Sequence, residues 1–82
     1  MTKEKLLIKI QNNYKNVKFG DFIILLESFG FKHQRTKGSH NIYKHSKGAH
    51  IMNVQDSNGS AKPYQIKQFF DLVNAYGLKQ ED

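Results

Sequence analysis

Four apolar residues, Phe22, Leu25, Leu26 and Phe29, recur at the i, i+3, i+4, i+7 spacing that places them on one side of an α-helix, and Gly30 follows at once. The stripe has to be buried against a second element. A glycine just past it is the residue that most easily takes the left-handed conformation ending a helix, and Phe31 can then fold back on the last turn. Asp21 stands directly ahead of the stripe as the expected N-cap. Beyond Gly30 the helical period vanishes, so the chain changes structural type at that residue.

From Phe31 to Val54, short runs of β-branched and aromatic residues are broken by Gly38 and Gly48, a pattern that predicts strands joined by turns. Residues 31–37 are expected to pair with residues 39–45 across Gly38, which supplies the positive φ of a tight turn. Ser46-Lys47-Gly48 then turns the chain into a third strand, residues 50–54. Residues 55–62 read as a polar loop. Pro63 suits the first position of a last helix, whose apolar residues are Ile66, Phe69, Phe70, Val73 and Tyr76. Gly77 ends it and residues 79–82 are left as a tail. At the other end Thr2 caps a short helix over residues 3–13 with Leu6, Leu7 and Ile10 on one side, and residues 12–16 form a connector. The expected order is α-α-β-β-β-α. This is an α+β fold of two layers, a three-stranded antiparallel sheet with helices on one face and the other face open.

A chain of 82 residues can close one core and not two, so a single domain over 1–82 is expected. Thirteen Lys and Arg against seven Asp and Glu give a net charge of +6, which attracts a polyanion; RNA, DNA and an acidic protein all satisfy that requirement. There is no Cys, hence neither a disulfide nor a thiolate metal site, and the four His lack zinc-site spacing, so no metal or cofactor is expected. The apolar run Leu6-Leu7-Ile8 is too short for a signal-peptide core or a membrane span, which makes a cytoplasmic location without a membrane partner the expectation. Phosphate-loop and dinucleotide signatures are absent. No pair of carboxylates is set out for glycosidase or two-metal chemistry.

Chemistry is therefore sought on the open sheet face. Along the second strand His40, Ile42 and Lys44 point one way and Asn41, Tyr43 and His45 the other. Ile42 and Tyr43 pull in opposite directions, so the alternation alone does not say which set meets water. An imidazole, with an unperturbed pKa of about 6.5, can give or take a proton at neutral pH. Attack of a ribose 2′-hydroxyl on its neighbouring phosphorus needs such a group together with positive charge. In Lys37-Gly38-Ser39-His40 the glycine lets a phosphate approach the N–H groups of the turn, Ser39 included. Lys37 and Lys44 add charge. Arg35 and Lys62 extend a basic surface with Lys32 and Lys47, and Tyr64 or Tyr43 is available for stacking on a base. His45 ranks second to His40 as a substrate contact. Read from the residues alone, Gly-Ser-His is most often the signature of a hairpin turn followed by a surface histidine.

Three blocks, Leu-Leu-Glu-Ser-Phe-Gly-Phe at 25–31, Lys-Gly-Ser-His-Asn-Ile-Tyr at 37–43 and Lys-Pro-Tyr-Gln-Ile at 62–66, resemble in content and order the HicA toxins of HicA-HicB toxin-antitoxin modules. The resemblance runs from about Phe19 onward. It divides the chain into an N-terminal helical extension with its connector (1–18), similar to that of a longer HicA subgroup, and a core (19–78). It implies a double-stranded-RNA-binding-like fold, metal-independent cleavage of mRNA as an endoribonuclease, and neutralisation by a HicB-like antitoxin. The family's histidine maps onto His40 and its glycine onto Gly38. The other proposed RNA contacts, Arg35, Lys37, Ser39, Lys44, Lys62 and Tyr64, come from the residues and not from the resemblance. The alternative function is a non-catalytic double-stranded RNA-binding module.

Overall fold

The structure is a computed structural model and describes residues 2–48 and 50–81. Three helices and four strands follow in the order α1 (Lys3–Asn12), α2 (Phe19–Ser28), β1 (Phe31–Lys37), β2 (His40–His45), β3 (Ile51–Ser57), β4 (Ser60–Ala61) and α3 (Pro63–Tyr76). The strands form one antiparallel sheet in the order β1-β2-β3-β4. The architecture is the expected α+β arrangement, with four strands in place of three.

Most element boundaries follow from the local signals. Thr2 caps α1, its hydroxyl accepting from Lys5 N at 3.2 Å. Gly30 has φ +92° beyond the end of α2, and Gly77 caps α3 with φ +62°, where Leu78 N donates to Val73 O at 3.0 Å. Pro63 opens α3. Asp21, however, is not the cap of α2. The helix begins at Phe19 behind Lys18, and Asp21 sits within its first turn, where a carboxylate still faces the positive end of the helix dipole. The early start has a tertiary cause: Phe19 N donates to Gly59 O at 2.9 Å and Ala61 N to Val17 O at 2.9 Å, so β4 fixes the direction of the chain before the helix begins.

The supposed loop at 55–62 is largely a hairpin. β3 runs on through Ser57, and Asn58 and Gly59 take φ of +53° and +89° in a two-residue turn. Asp56 Oδ1 accepts from Gly59 N at 2.6 Å, and Ala61 of β4 enters the core. Asn-Gly is the strongest short hairpin signal in the chain, and the polar residues around it masked it. β3 also begins at Ile51 instead of His50, and β2 at His40 instead of Ser39, because Gly38 and Ser39 together form the β1–β2 turn. The segment after Gly77 is not a free tail as far as residue 81: Glu81 N donates to Ser28 O at 2.7 Å, and Gln80 Nε2 bonds Lys3 O at 2.9 Å and Ser28 Oγ at 3.1 Å. Asp82 lies outside the described residues.

The core lies between the helices and one sheet face. Phe22, Leu25 and Leu26 of α2, Phe29 at its C-cap, and Ile66 and Phe69 of α3 are buried against Phe31, Tyr43, Met52, Val54 and Ala61 of the sheet, and Leu6 and Ile10 of α1 join them. Phe69 is the hub. The rings of Phe29, Phe70, Phe22 and Phe31 surround it at centroid distances of 5.1, 5.2, 5.9 and 6.1 Å, all steeply inclined to it. Truncating such a ring in a core costs about 3–5 kcal/mol. Among the described residues no helix is long and apolar enough to cross a membrane.

Candidate nucleic-acid interface

Directly paired residues of an antiparallel sheet share a face, so the register settles what alternation alone left open. Tyr43 pairs with Met52 and Asn41 with Val54, both core residues, and His45 pairs with Phe31. Tyr43 and His45 are accordingly buried under the helices, and His40, Ile42 and Lys44 occupy the open face. Across that face three rows can be read: Lys37–His40–Gln55, Arg35–Ile42–Asn53 and Lys32–Lys44–Ile51.

A β-bulge is what brings the β1 cations into those rows. The register steps between His33 and Arg35, so Gln34 is an extra residue with no partner on β2. Strict alternation from the buried Phe31 would send residues 33, 35 and 37 toward the helices. The inserted residue instead returns Arg35 and Lys37 to the open face, with Lys37 directly opposite His40. Four cations, Lys32, Arg35, Lys37 and Lys44, stand in a grid that contains no carboxylate. Lys32 faces Lys44 across the strands, a pairing that disfavours the free protein and that a bound anion relieves.

His40 itself is exposed at the start of β2. Its Nδ1 lies 3.1 Å from Asn53 Oδ1, and the Gln55 side-chain nitrogen lies 2.9 Å from Nε2 and 3.3 Å from Nδ1. Lys62 Nζ donates to Gln55 Oε1 at 2.5 Å. Arg35, Lys37, His40, Ile42 and Asn53 line a shallow hollow of about 290 Å³. Beside it Gly38 has φ +61° at the turn, with no other atom within 4 Å of where a Cβ would stand.

Beneath this face lies a buried amide. Gln65 of α3 is 4% exposed, accepts from Gln55 N at 3.0 Å and donates to Asn53 O at 3.1 Å. β4 pairs only with residues 56 and 57 of β3, which leaves the outer edge of β3 at 53–55 without a neighbouring strand. The Gln65 carboxamide, one donor and one acceptor in a fixed plane, stands there in place of the missing peptide group.

The structure distributes the anticipated residues unevenly. Arg35, Lys37, Gly38, Ser39 and His40 come together at one end of the sheet. Lys44 shares the face but lies four residues along β2, about 13 Å from His40 at ~3.3 Å per residue. Lys62 is occupied by Gln55, with its ammonium 6.0 Å from the Tyr64 ring centroid, and Tyr64 is exposed. His45 is on the wrong face to share a substrate with His40. Its Nδ1 accepts from Lys47 N at 3.1 Å and its ring meets Phe31 edge-on. Tyr43 is also on the helix side, where burial, assisted by the charge of Glu27, pushes its phenol above the ordinary value of 10.0. It neither stacks on the open face nor supplies a proton there. Asn53, Gln55 and Gln65 were missed. Asn53 lay within the expected third strand without a register to set it opposite Ile42, and Gln55 would have been placed opposite His40 had the Asn58-Gly59 turn extended that strand.

Two larger hollows lie elsewhere. A groove of about 630 Å³ between α1 and α3 is lined by apolar side chains such as Leu7, Phe70 and Leu78 together with polar ones such as Gln11, Lys67 and Asp71, and one of about 870 Å³ runs from His45 and His50 to Tyr76 and Gln80. Neither gathers cations around an exposed imidazole as the open face does. Among the described residues no three His, Asp or Glu side chains assemble into a group able to hold a metal ion.

The sheet, its cationic face and the Lys-Gly-Ser-His turn define a small basic α+β protein with an open, positively charged sheet face. The family described as HicA toxin of bacterial toxin-antitoxin systems matches residues 19–80, and the chain belongs to that family. The match opens on the first residue of α2 and leaves α1 outside it. Membership makes the chain a toxin of a toxin-antitoxin pair with an antitoxin as its partner. No curated protein and no solved structure matches it.

Proposed function

We propose that the protein is an mRNA-cleaving ribonuclease toxin that acts in the cytoplasm, with His40 as the proton-transfer group and the open sheet face as the RNA surface. One observation carries the reading: an exposed imidazole stands between Lys37 and a polar strand, beside a hollow bordered by Arg35. In the reaction a ribose 2′-oxygen bonds to the adjacent phosphorus while the P–O5′ bond breaks, leaving a 2′,3′-cyclic phosphate and a 5′-hydroxyl. His40 takes the 2′-hydroxyl proton, and the departing oxygen receives one from water or Lys37. Arg35 and Lys37 offset the charge that builds on the phosphoryl oxygens. Gly38 and Ser39 offer backbone N–H groups at the same end. Lys44 and Tyr64 extend the track to neighbouring nucleotides, and the core over 19–78 carries all of these groups in a double-stranded-RNA-binding-like arrangement. A HicB-like antitoxin with an acidic surface neutralises the toxin by covering this face.

The test is cleavage of a defined RNA by purified wild type and His40→Ala, with EDTA present. Loss of proton transfer is expected to slow cleavage by about 10²–10⁴-fold, and a 2′-deoxy substitution at the scissile nucleotide is expected to abolish it. Equal rates for the two proteins sink the assignment of His40. The cation grid also favours a second reading, a non-catalytic double-stranded RNA-binding module, and the same assay separates the two: salt-sensitive binding with RNA left intact selects the module.

A further inference from the structure

The contacts around His40 have a direction. Lys62 carries an ammonium, which has donors and no acceptor, so the Gln55 oxygen is committed to Lys62 and only the amide's NH₂ is left to face the imidazole. A nitrogen within 3.3 Å of both ring nitrogens cannot stand end-on to either in the ring plane, because the carbon between them would collide with it. The amide therefore lies across the ring and leaves the in-plane lone pair of Nε2 open. Asn53 Oδ1, an acceptor, is 3.1 Å from Nδ1, a contact that becomes a hydrogen bond when Nδ1 carries the proton. The backbone of both β3 residues is held by one buried side chain, Gln65, through the N–H of Gln55 and the carbonyl of Asn53.

We propose that Asn53 and Gln55, anchored by Gln65 and Lys62, are positioning residues for His40: Asn53 keeps the ring in its Nδ1–H tautomer and Gln55 fixes its plane, so that Nε2 is the nitrogen left to act as base. This rests on the reading of His40 as the proton-transfer group. It gives Lys62 a task different from direct contact with RNA, since its ammonium is spent on orienting the Gln55 amide. It also explains a glutamine buried in α3 with both ends of its amide used on one short stretch of β3. An unconstrained neutral imidazole favours the opposite tautomer, with the proton on Nε2, so the proposal makes a statement about the resting protein that needs no substrate to check.

The experiment is ¹⁵N NMR of the His40 ring in the full chain, without RNA, at a pH where the imidazole is neutral. Wild type is expected to show Nδ1–H as the dominant form, Asn53→Ala to revert toward Nε2–H, and Asn53→Asp, whose carboxylate still accepts, to restore Nδ1–H. With RNA, Asn53→Ala and Gln55→Ala are expected to lower kcat by about ten- to a hundredfold, the range found when the partner orienting a metal-bound imidazole is removed, while KM stays within about twofold of wild type. Wild-type His40 carrying its proton on Nε2 overturns the proposal, even if no variant folds. So does Asn53→Ala with an unchanged tautomer and unchanged kcat. If His40→Ala cleaves RNA as wild type does, the functional reading fails and the tautomer result stands by itself. If His40→Ala is inactive but wild-type His40 is Nε2–H, the positioning proposal alone fails.

Discussion

His40 and His45 sit five residues apart on the same strand, and the odd spacing puts one on each face of the sheet. His40 stands in water among Lys37, Asn53 and Gln55. His45 is 7% exposed, wedged edge-on against Phe31 at 5.1 Å and bonded through Nδ1 to its own turn. The same side chain is exposed among polar and cationic groups in one place and a piece of the core in the other. What separates them is the parity of a strand, and that parity is set by what the neighbouring strands place beneath it. Polar and cationic side chains collect where no helix covers the sheet, and there Asn53 and Gln55, the side chains in contact with the His40 imidazole, stand on the neighbouring strand β3.

A crossed pair of substitutions tests this contrast most severely. His40→Ala is expected to lose about 10²–10⁴-fold in cleavage and to shift stability by no more than about 0.5 kcal/mol, as an exposed site distant from the core should. His45→Ala should do the reverse. It removes the acceptor of Lys47 N and the contact with Phe31, at a cost of about 1–3 kcal/mol, and should leave the turnover of the folded fraction unchanged. Urea titration alongside initial rates decides the matter, and a His45→Ala protein that is stable but inactive breaks the division between the faces.

That division was only partly open to sequence reasoning, for reasons that can be named. The α2 stripe was legible because four large apolar residues at helical spacing allow one burial face, and Gly30 and Gly77 were legible because left-handed caps demand glycine. The parity of β2 was not, since Ile42 and Tyr43 are neighbours that each argue for their own face; only pairing with Met52 and Val54 decides. The bulge at Gln34 has no local signature, yet it determines that Arg35 and Lys37 stand with His40. Gln65 looked like an ordinary polar residue in the first turn of a helix. Its burial follows from the missing strand beside residues 53–55, a fact of topology. The toxin family was legible in the three blocks. Gln55 was hidden because a third strand ending at Val54 leaves it out, and Asn53, although on that strand, was hidden because the pairing of β3 with β2 is not written in the local sequence.

The turn at the end of the two faces offers the next test. Replacing Gly38 by L-alanine forces a β-carbon onto a residue with φ +61° and should cost about 1–2 kcal/mol for conformational reasons alone. D-alanine suits that conformation without the strain that an L side chain meets there. A synthetic chain with D-alanine at position 38 should therefore match wild type in stability and lose RNA affinity if phosphate approaches the turn closely. Full affinity would restrict the glycine to a backbone role.

On the open face the cations should be countable. If Arg35 and Lys37 each neutralise a phosphate, Arg35→Ala and Lys37→Ala should each lower the slope of log affinity against log salt by about 0.7, the value for single strands. Lys79→Ala, outside the sheet and beyond α3, should leave it unchanged. Equal effects at all three positions would mean that net charge, and not this face, binds RNA.

The smallest effect belongs to the buried face and appears only in alkali. Tyr43 has its phenol raised by burial and by Glu27, so the unfolded chain ionises at this residue before the folded one does. The stability that Tyr43 contributes is thus fully present below the unfolded value, about 10, and falls as pH rises from there through the higher folded value. Urea titrations between pH 9 and 11 should show that decline in wild type and a shallower one in Tyr43→Phe, because removing the hydroxyl removes the group whose ionisation is linked to unfolding. Phenolate absorbance, compared between wild type and Tyr43→Phe, should place the ionisation of Tyr43 above the ordinary tyrosine value. A decline of equal slope in both proteins would mean that the ring's hydroxyl already reaches water, and that the helix layer covers this end of β2 less completely than it covers His45.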